Sequence, residues 1–209
     1  MDLDVTSLHH RRAVHRWERM SVGDLIERVT WSRPDKVAIV GRPGAYADEQ
    51  MHALTYRQAD TVANQVANAL LASGLALDDL AATVAGRPAN QVAHALLASG
   101  LERGDVVLLF CENSVEAYLA KIGIAKAGLV AAPLNPMMAP DLIQAMIDLV
   151  QPKLAIVDAE LWPRAQEPFA AKGLRAGVTI AIGGAPVPGS VSFTEFIAGQ
   201  ASTEPDVEI

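Results

Sequence analysis

The stretch from Leu101 to Asp158 constrains the fold most. It reads LERGDVVLLFCENSVEAYLAKIGIAKAGLVAAPLNPMMAPDLIQAMIDLVQPKLAIVD, three strand-like runs alternating with two helix-like runs. Asp105–Cys111 is almost unbroken apolar sequence, as in strands buried on both faces. Asn113 or Ser114 offers an N-cap, and Glu116 stands three residues after Asn113, close to a capping-box spacing. Tyr118, Ile122 and Ala125 recur at helical spacing and predict a core-facing stripe. Lys126 suits the negative end of that helix, and Gly128 suits a left-handed C-cap. A second strand is expected over Leu129–Leu134, ending at Asn135-Pro136. Pro140 fits a first helical position, Ile143, Ile147 and Val150 form its apolar face, and Pro152 stops that helix. Lys153–Asp158 is the third strand. This alternation implies parallel strands joined by right-handed crossovers.

Composition removes several function classes. The chain has 209 residues, 51% of them hydrophobic and 20% charged, so it can bury a core. A net charge of −7 argues against a nucleic-acid surface. A single cysteine excludes an intrachain disulfide and fits a reducing, cytoplasmic setting. Residues 1–20 hold no apolar signal core, and no run of 18 apolar residues predicts a membrane span.

The lead-in, residues 1–20, carries His9, His10, His15 and four arginines. A metal site or a basic docking segment is one reading. A solvated lead-in is favoured, because His10 and His15 are five apart and do not share a helix face. Ser21 caps a helix in which Val22, Leu25, Ile26 and Val29 form a face, and Arg33-Pro34 ends it. Short strands follow at Lys36–Gly41 and Ala53–Tyr56, separated in part by the turn Gly41-Arg42-Pro43-Gly44.

A repeat comes next. Ala63–Leu75 reads ANQVANALLASGL and Ala89–Leu101 reads ANQVAHALLASGL, differing only at Asn68 and His94, 26 residues apart. Two copies are too few for a solenoid. The first copy follows Leu54-Thr55-Tyr56, and the second precedes Glu102-Arg103-Gly104-Asp105 and a strand. One helix position is therefore occupied twice, by an in-frame duplication or by a sequence error. Both copies are amphipathic, with Val66, Leu70 and Ser73 in one and Val92, Leu96 and Ser99 in the other. The surplus, Ala76–Leu101 or Asn64–Ala89, is expected to loop out at modest entropic cost, so its deletion should not destabilise the fold.

Beyond Asp158, Trp162-Pro163-Arg164 opens a helix to about Lys172, Val178–Gly183 is a strand, and Gly183-Gly184-Ala185-Pro186 reads as a plain turn. Ser192–Ala198 is a last helix with Phe193, Phe196 and Ile197 on its apolar side. Ser202–Ile209 is acidic and loop-like.

Several blocks taken in order resemble the N-terminal region of the adenylate-forming superfamily of acyl-CoA synthetases and AMP-binding ligases. They are Leu54-Thr55-Tyr56, Ala63–Ala67, Gly104–Val107, Glu112-Asn113-Ser114, Lys126-Ala127-Gly128, Ala132–Pro136 and Pro152–Val157. No block is specific alone; their order over roughly Ser21 to Asp158 carries the resemblance. It implies an α/β fold, a mainly parallel sheet with helices on both faces, after an N-terminal hairpin. It divides the chain into the lead-in 1–20, a partial ligase domain 21–200 and an acidic end 201–209. It also implies ATP, Mg2+ and coenzyme A as cofactors of a full-length enzyme acting on a small carboxylic acid. The family's phosphate loop, rich in Ser, Thr and Gly and ending Pro-Lys-Gly, has no counterpart here; family order places it shortly after Ile209. No catalytic, cofactor-binding or metal residue is therefore assigned. Losing about three charge-assisted contacts forfeits roughly 4–9 kcal/mol, so these residues alone are expected to be inactive and to bind no cofactor tightly.

Some residues invite a role. Asn113 and Asn135 stand at strand ends, where open parallel sheets bind ligands, but capping suits them better. Cys111 reads as a packing thiol rather than a nucleophile. Asp158 as a ribose ligand lacks the G-x-G-x-x-G that such folds carry, which weakens a nicotinamide-dependent oxidoreductase reading. The alternative from another class is a short non-catalytic α/β protein that self-associates through the surplus helix or an exposed sheet edge.

Overall fold

The computed structural model describes residues 22–72, 101–182, 185–203 and 205. The lead-in 1–20, the cap Ser21, the pair Gly183-Gly184 and all of the second repeat copy except Leu101 lie outside the described residues.

Five parallel strands form the sheet: β3 (Val106–Phe110), β4 (Val130–Pro133), β5 (Leu154–Asp158), β6 (Val178–Ile180) and β7 (Val191–Ser192). Their order is β4-β3-β5-β6-β7. Leu108 aligns with Ala132 on one side and Ala155 on the other. Before them, β1 (Val37–Val40) and β2 (Ala53–Thr55) pair antiparallel as a separate ribbon. The helices are α1 (Val22–Ser32), α2 (Tyr56–Ala72), α3 (Val115–Lys126), α4 (Pro140–Val150), α5 (Trp162–Ala171) and α6 (Phe193–Ile197).

The apolar strand runs split between two cores because successive side chains point to opposite faces. Val107, Leu109, Leu154, Ile156, Val178 and Ile180 join α2, α3 and α6 on one face. Leu108, Phe110, Ala155 and Val157 join α4 and α5 on the other. Each fully buried Leu, Ile or Phe contributes roughly 1.5–3 kcal/mol relative to exposure. The expected α/β layering, with helices on both faces, is what the chain builds.

The local chemistry explains most element ends. Ser114, not Asn113, caps α3, accepting from the Ala117 N–H. Gly128 takes a φ of 72° just past its end. Pro140 opens α4 and Gln151 closes it in the left-handed region, before Pro152. Ser192 and Glu195 form a reciprocal capping box on α6.

Three expectations are corrected. Tyr118 is 50% exposed, whereas Ile122 of the same stripe is buried; α3 is also buried through Leu119, Ala120 and Ile124, because it has neighbours on most sides. On α1, Leu25 and Val29 are exposed while Glu27 and Thr30 are buried. The cause is Lys126, which is fully buried and draws in Glu27 at 3.3 Å and Asp60 at 2.9 Å. Glu116 does not close a capping box with Asn113. Its Oε1 accepts from the Ala47 and Asp48 N–H groups at 2.6 and 3.3 Å, tying a distant loop to α3.

The first repeat copy, as far as Ala72, is seated in the fold. Ala63, Val66, Ala67 and Leu70 are fully buried in α2. The approach to α3 is so close that a Cβ on Gly123 would lie 2.5 Å from Val66 and 2.9 Å from the Ala63 carbonyl oxygen.

Candidate functional site

The chain leaves β3 through α3 on one face of the sheet and leaves β5 through α5 on the other. Adjacent parallel strands with connections on opposite faces define a topological switch point, where such sheets bind ligands. Here it lies between Cys111-Glu112 and Asp158.

Asp158 spans that point. Its Oδ2 accepts from the Glu112 N–H at 2.6 Å. Its Oδ1 is buried with no hydrogen-bond partner, and the residue is 5% exposed. Burial is the main cause that raises the carboxyl to about 6, against a lowering by the Glu112 N–H. Cys111 sits beside it, its thiol 3.4 Å from the Ile156 carbonyl oxygen. Burial first, and then the negative charge of Asp158, push the thiol well above its ordinary range. A neutral thiol in this setting is a poor nucleophile, so Cys111 packs. Asp158 faces inward and is committed to the Glu112 backbone, which leaves it unsuited to hold a ribose.

The surrounding loops are fastened separately. Asn135 Oδ1 accepts from the Met137 N–H at 2.8 Å and so shapes its own turn. Arg164 of α5 donates to the Pro136 carbonyl and, at 2.9 Å, to the Met138 carbonyl. Glu116 and the Val115 N–H hold the loop around Ala45 across the start of α3. Asn113 is exposed. Glu116 and Arg164 went unsingled in the sequence as loop-holding residues, since their partners are backbone groups 69 and 28 residues away.

These groups do not by themselves fit a nucleotide triphosphate. Glu112, Asp158 and Glu160 bring carboxylates to this end, and Arg164 is spent on carbonyls. Among the described residues, no three His, Cys, Asp or Glu side chains stand together as a metal site. No described helix is long and apolar enough to cross a membrane.

At the opposite, amino end of β5 lies an open concavity of about 340 Å³, lined in part by Lys153, Lys172 and Arg175. Lys153 pairs there with Asp105 at 2.9 Å and Lys172 with Asp148 at 2.6 Å.

Comparison with known proteins bears on the whole chain. It is 28% identical over 178 residues to a 3-hydroxybenzoate–CoA/4-hydroxybenzoate–CoA ligase of Thauera aromatica, over 82% of this chain and 29% of that protein. It is 30% identical over 116 residues to a medium/long-chain-fatty-acid–CoA/3-oxocholest-4-en-26-oate–CoA ligase of Mycobacterium tuberculosis, over 56% of this chain and 15% of that protein. The fold matches the anthranilate CoA ligase AuaEII, solved with anthranoyl-AMP, with a TM-score of 0.63 at 22% identity, covering 88% of this chain and 28% of that one. The chain thus spans less than a third of the length of these relatives. The family model for the AMP-binding enzyme matches residues 85–205, taking in the second repeat copy and leaving out the first. With more than half of its residues matched, the chain belongs to the AMP-binding enzyme family.

Proposed function

We propose that this chain is the N-terminal part of an ATP-dependent acid–thiol ligase, which forms an acyl-adenylate and passes the acyl group to coenzyme A. The observation that carries the reading is the family match over residues 85–205 on a doubly wound parallel sheet. The named activities of the relatives supply the substrate class, a small carboxylic acid that is either aromatic or fatty acyl. ATP, Mg2+ and coenzyme A belong to the whole enzyme. Residues 21–200 act as a partial N-terminal domain that scaffolds the rest, in a cytoplasmic setting.

The chain by itself is inactive on this reading, because the groups at the switch point are committed to the fold. The test is direct. The purified 209-residue protein, given ATP, Mg2+ and either 3-hydroxybenzoate or a long-chain fatty acid, should catalyse no ATP–pyrophosphate exchange and form no acyl-AMP. Either product would overturn the inactivity. Reading the coding DNA past codon 209 tests the rest: a frame entering a Ser/Thr/Gly-rich loop ending Pro-Lys-Gly supports the ligase, and an immediate stop refutes it.

The β4 edge, hydrogen-bonded on one side only among the described strands, adds an expectation of self-association. A monomer at high concentration in size-exclusion chromatography with light scattering would remove it.

A further inference from the structure

We infer that the groove holding α2 is a binding surface for either repeat copy, and that Ala89–Leu101 of the same chain is its second occupant, competing with Ala63–Leu75.

Four observations carry it. The first is fit. The groove contacts Ala63, Val66, Ala67 and Leu70, and its tightest point is Gly123 against Ala63 and Val66. Their counterparts Ala89, Val92, Ala93 and Leu96 are identical, so the buried apolar surface is the same for either copy. The second is tether length. The copies are offset by 26 residues, and seating either one extrudes 26 residues, so loop-closure entropy does not choose between them. The third is attachment. Leu101, the last residue of the second copy, already packs against the core cluster that contains Val66 and Leu70. The fourth is the family match, which begins at residue 85 and so takes the second copy as the natural forerunner of β3.

What separates the copies is polar and local. Asn68 Nδ2 donates to the Asn64 carbonyl at 3.0 Å and to the Ala201 and Thr203 carbonyls at 2.9 Å each. It thereby straps the segment 201–203 onto α2. His94 stands at the matching place in the second copy. A neutral imidazole offers one N–H, so it cannot serve both carbonyls. The site of extrusion differs too. With the first copy seated, the extra residues leave past Ala72, where α2 ends. With the second seated, they leave between Val62 and Ala89, interrupting the helix, which restarts with Pro88 at a first helical position. Both terms favour the first copy, so the second is the minor occupant, and its entry loosens residues 201–203.

Disulfide trapping in the full chain reads this out. In a Cys111→Ala background, the pair Asn68→Cys/Ala201→Cys reports the first copy and His94→Cys/Ala201→Cys the second. The pair Val92→Cys/Ala201→Cys is the control, because its counterpart Val66 faces Gly123. Both reporter pairs should close within one chain, the His94 pair more slowly by roughly 10- to 1,000-fold, as for a minor state of 0.1–10%. The control should be slower again. Interchain products alone, no His94 product, or equal His94 and Val92 rates would overturn the inference. A second measurement avoids cysteines. Deleting residues 64–89 or residues 76–101 gives proteins that differ only by His94 in place of Asn68. Both should melt cooperatively at similar temperatures. Cooperative melting of the second alone would show that the groove rejects the 89–101 sequence.

Discussion

The two faces of the sheet are held by different means. Under α4 and α5 the core is built of Leu108, Phe110, Ile143, Val157 and Phe169, and the buried polar Thr179 at its margin carries no charge, bonding Ser190 and the Val187 N–H. Under α2, α3 and α1 the apolar core is threaded with buried polar groups. Lys126 sits between Glu27 and Asp60, Glu116 holds a distant loop, and Asn64 is 4% exposed. Apolar contact rewards any sequence of the right shape. A buried ion pair adds little net stability, but it penalises every arrangement that leaves one partner behind. The polar face is also the one that seats the helix whose sequence the chain carries twice. Where apolar contacts are duplicated, discrimination falls to the polar ones.

The sharpest way to break this contrast is to remove one residue from each face. Lys126→Ala should cost about 3–5 kcal/mol, because Glu27 and Asp60 are left facing each other without the cation. Phe169→Ala should cost a similar amount, about 3–5 kcal/mol, through the cavity it leaves. The rescues must differ. A Lys126→Met, Glu27→Leu, Asp60→Leu triple variant should recover most of the first loss, whereas only another bulky apolar side chain repairs the second. Urea unfolding measures both, and a Lys126→Ala loss near zero would mean that the triad is not buried as described.

Gly123→Ala should have the next largest effect, about 1–3 kcal/mol, since its Cβ would press on Val66 and the Ala63 carbonyl. Thermal melts check it. Full tolerance would show that α2 and α3 do not cross that closely.

The smallest effect belongs to Asp158, whose position in β5 matches the alternation of Leu154 and Ile156 on the polar face. Its carboxyl is raised from 3.8 to about 6, so the folded chain binds that proton more tightly than the unfolded chain. Its stabilising contribution is present below the unfolded value and is lost as pH rises through about 6. Asp158→Asn keeps an acceptor for the Glu112 N–H and removes the titration. The variant should therefore gain about 1–2 kcal/mol on wild type between pH 4 and pH 7. Parallel stability–pH curves for the two proteins would refute the buried carboxyl.

Sequence pattern carried the sheet well. The runs Asp105–Cys111, Leu129–Leu134 and Lys153–Asp158 each became a parallel strand, with ends within a residue of expectation, because apolar runs bounded by Gly, Asn and Pro leave little choice. Strand β7 escaped notice, since two residues make no period. Helix faces were less legible. The stripe Tyr118, Ile122 and Ala125 held at Ile122 and failed at Tyr118, because α3 is apolar nearly all round and periodicity cannot say which side meets the sheet. The stripe through Leu25 and Val29 failed because Glu27 answers to Lys126, 99 residues away. The switch point was legible only as a place. That Asp158 bonds the Glu112 backbone across it is a tertiary fact with no local signature.

Gly123 also acts as a mutational sieve. The Val66 side chain already fills the space beside Gly123, so a bulkier residue at position 66 would push α2 off α3, and the seated copy cannot grow at that position without cost. A copy that never meets Gly123 is under no such restraint. Among descendants of this gene, the first bulky substitution at position 66 or 92 marks the copy the fold has stopped using.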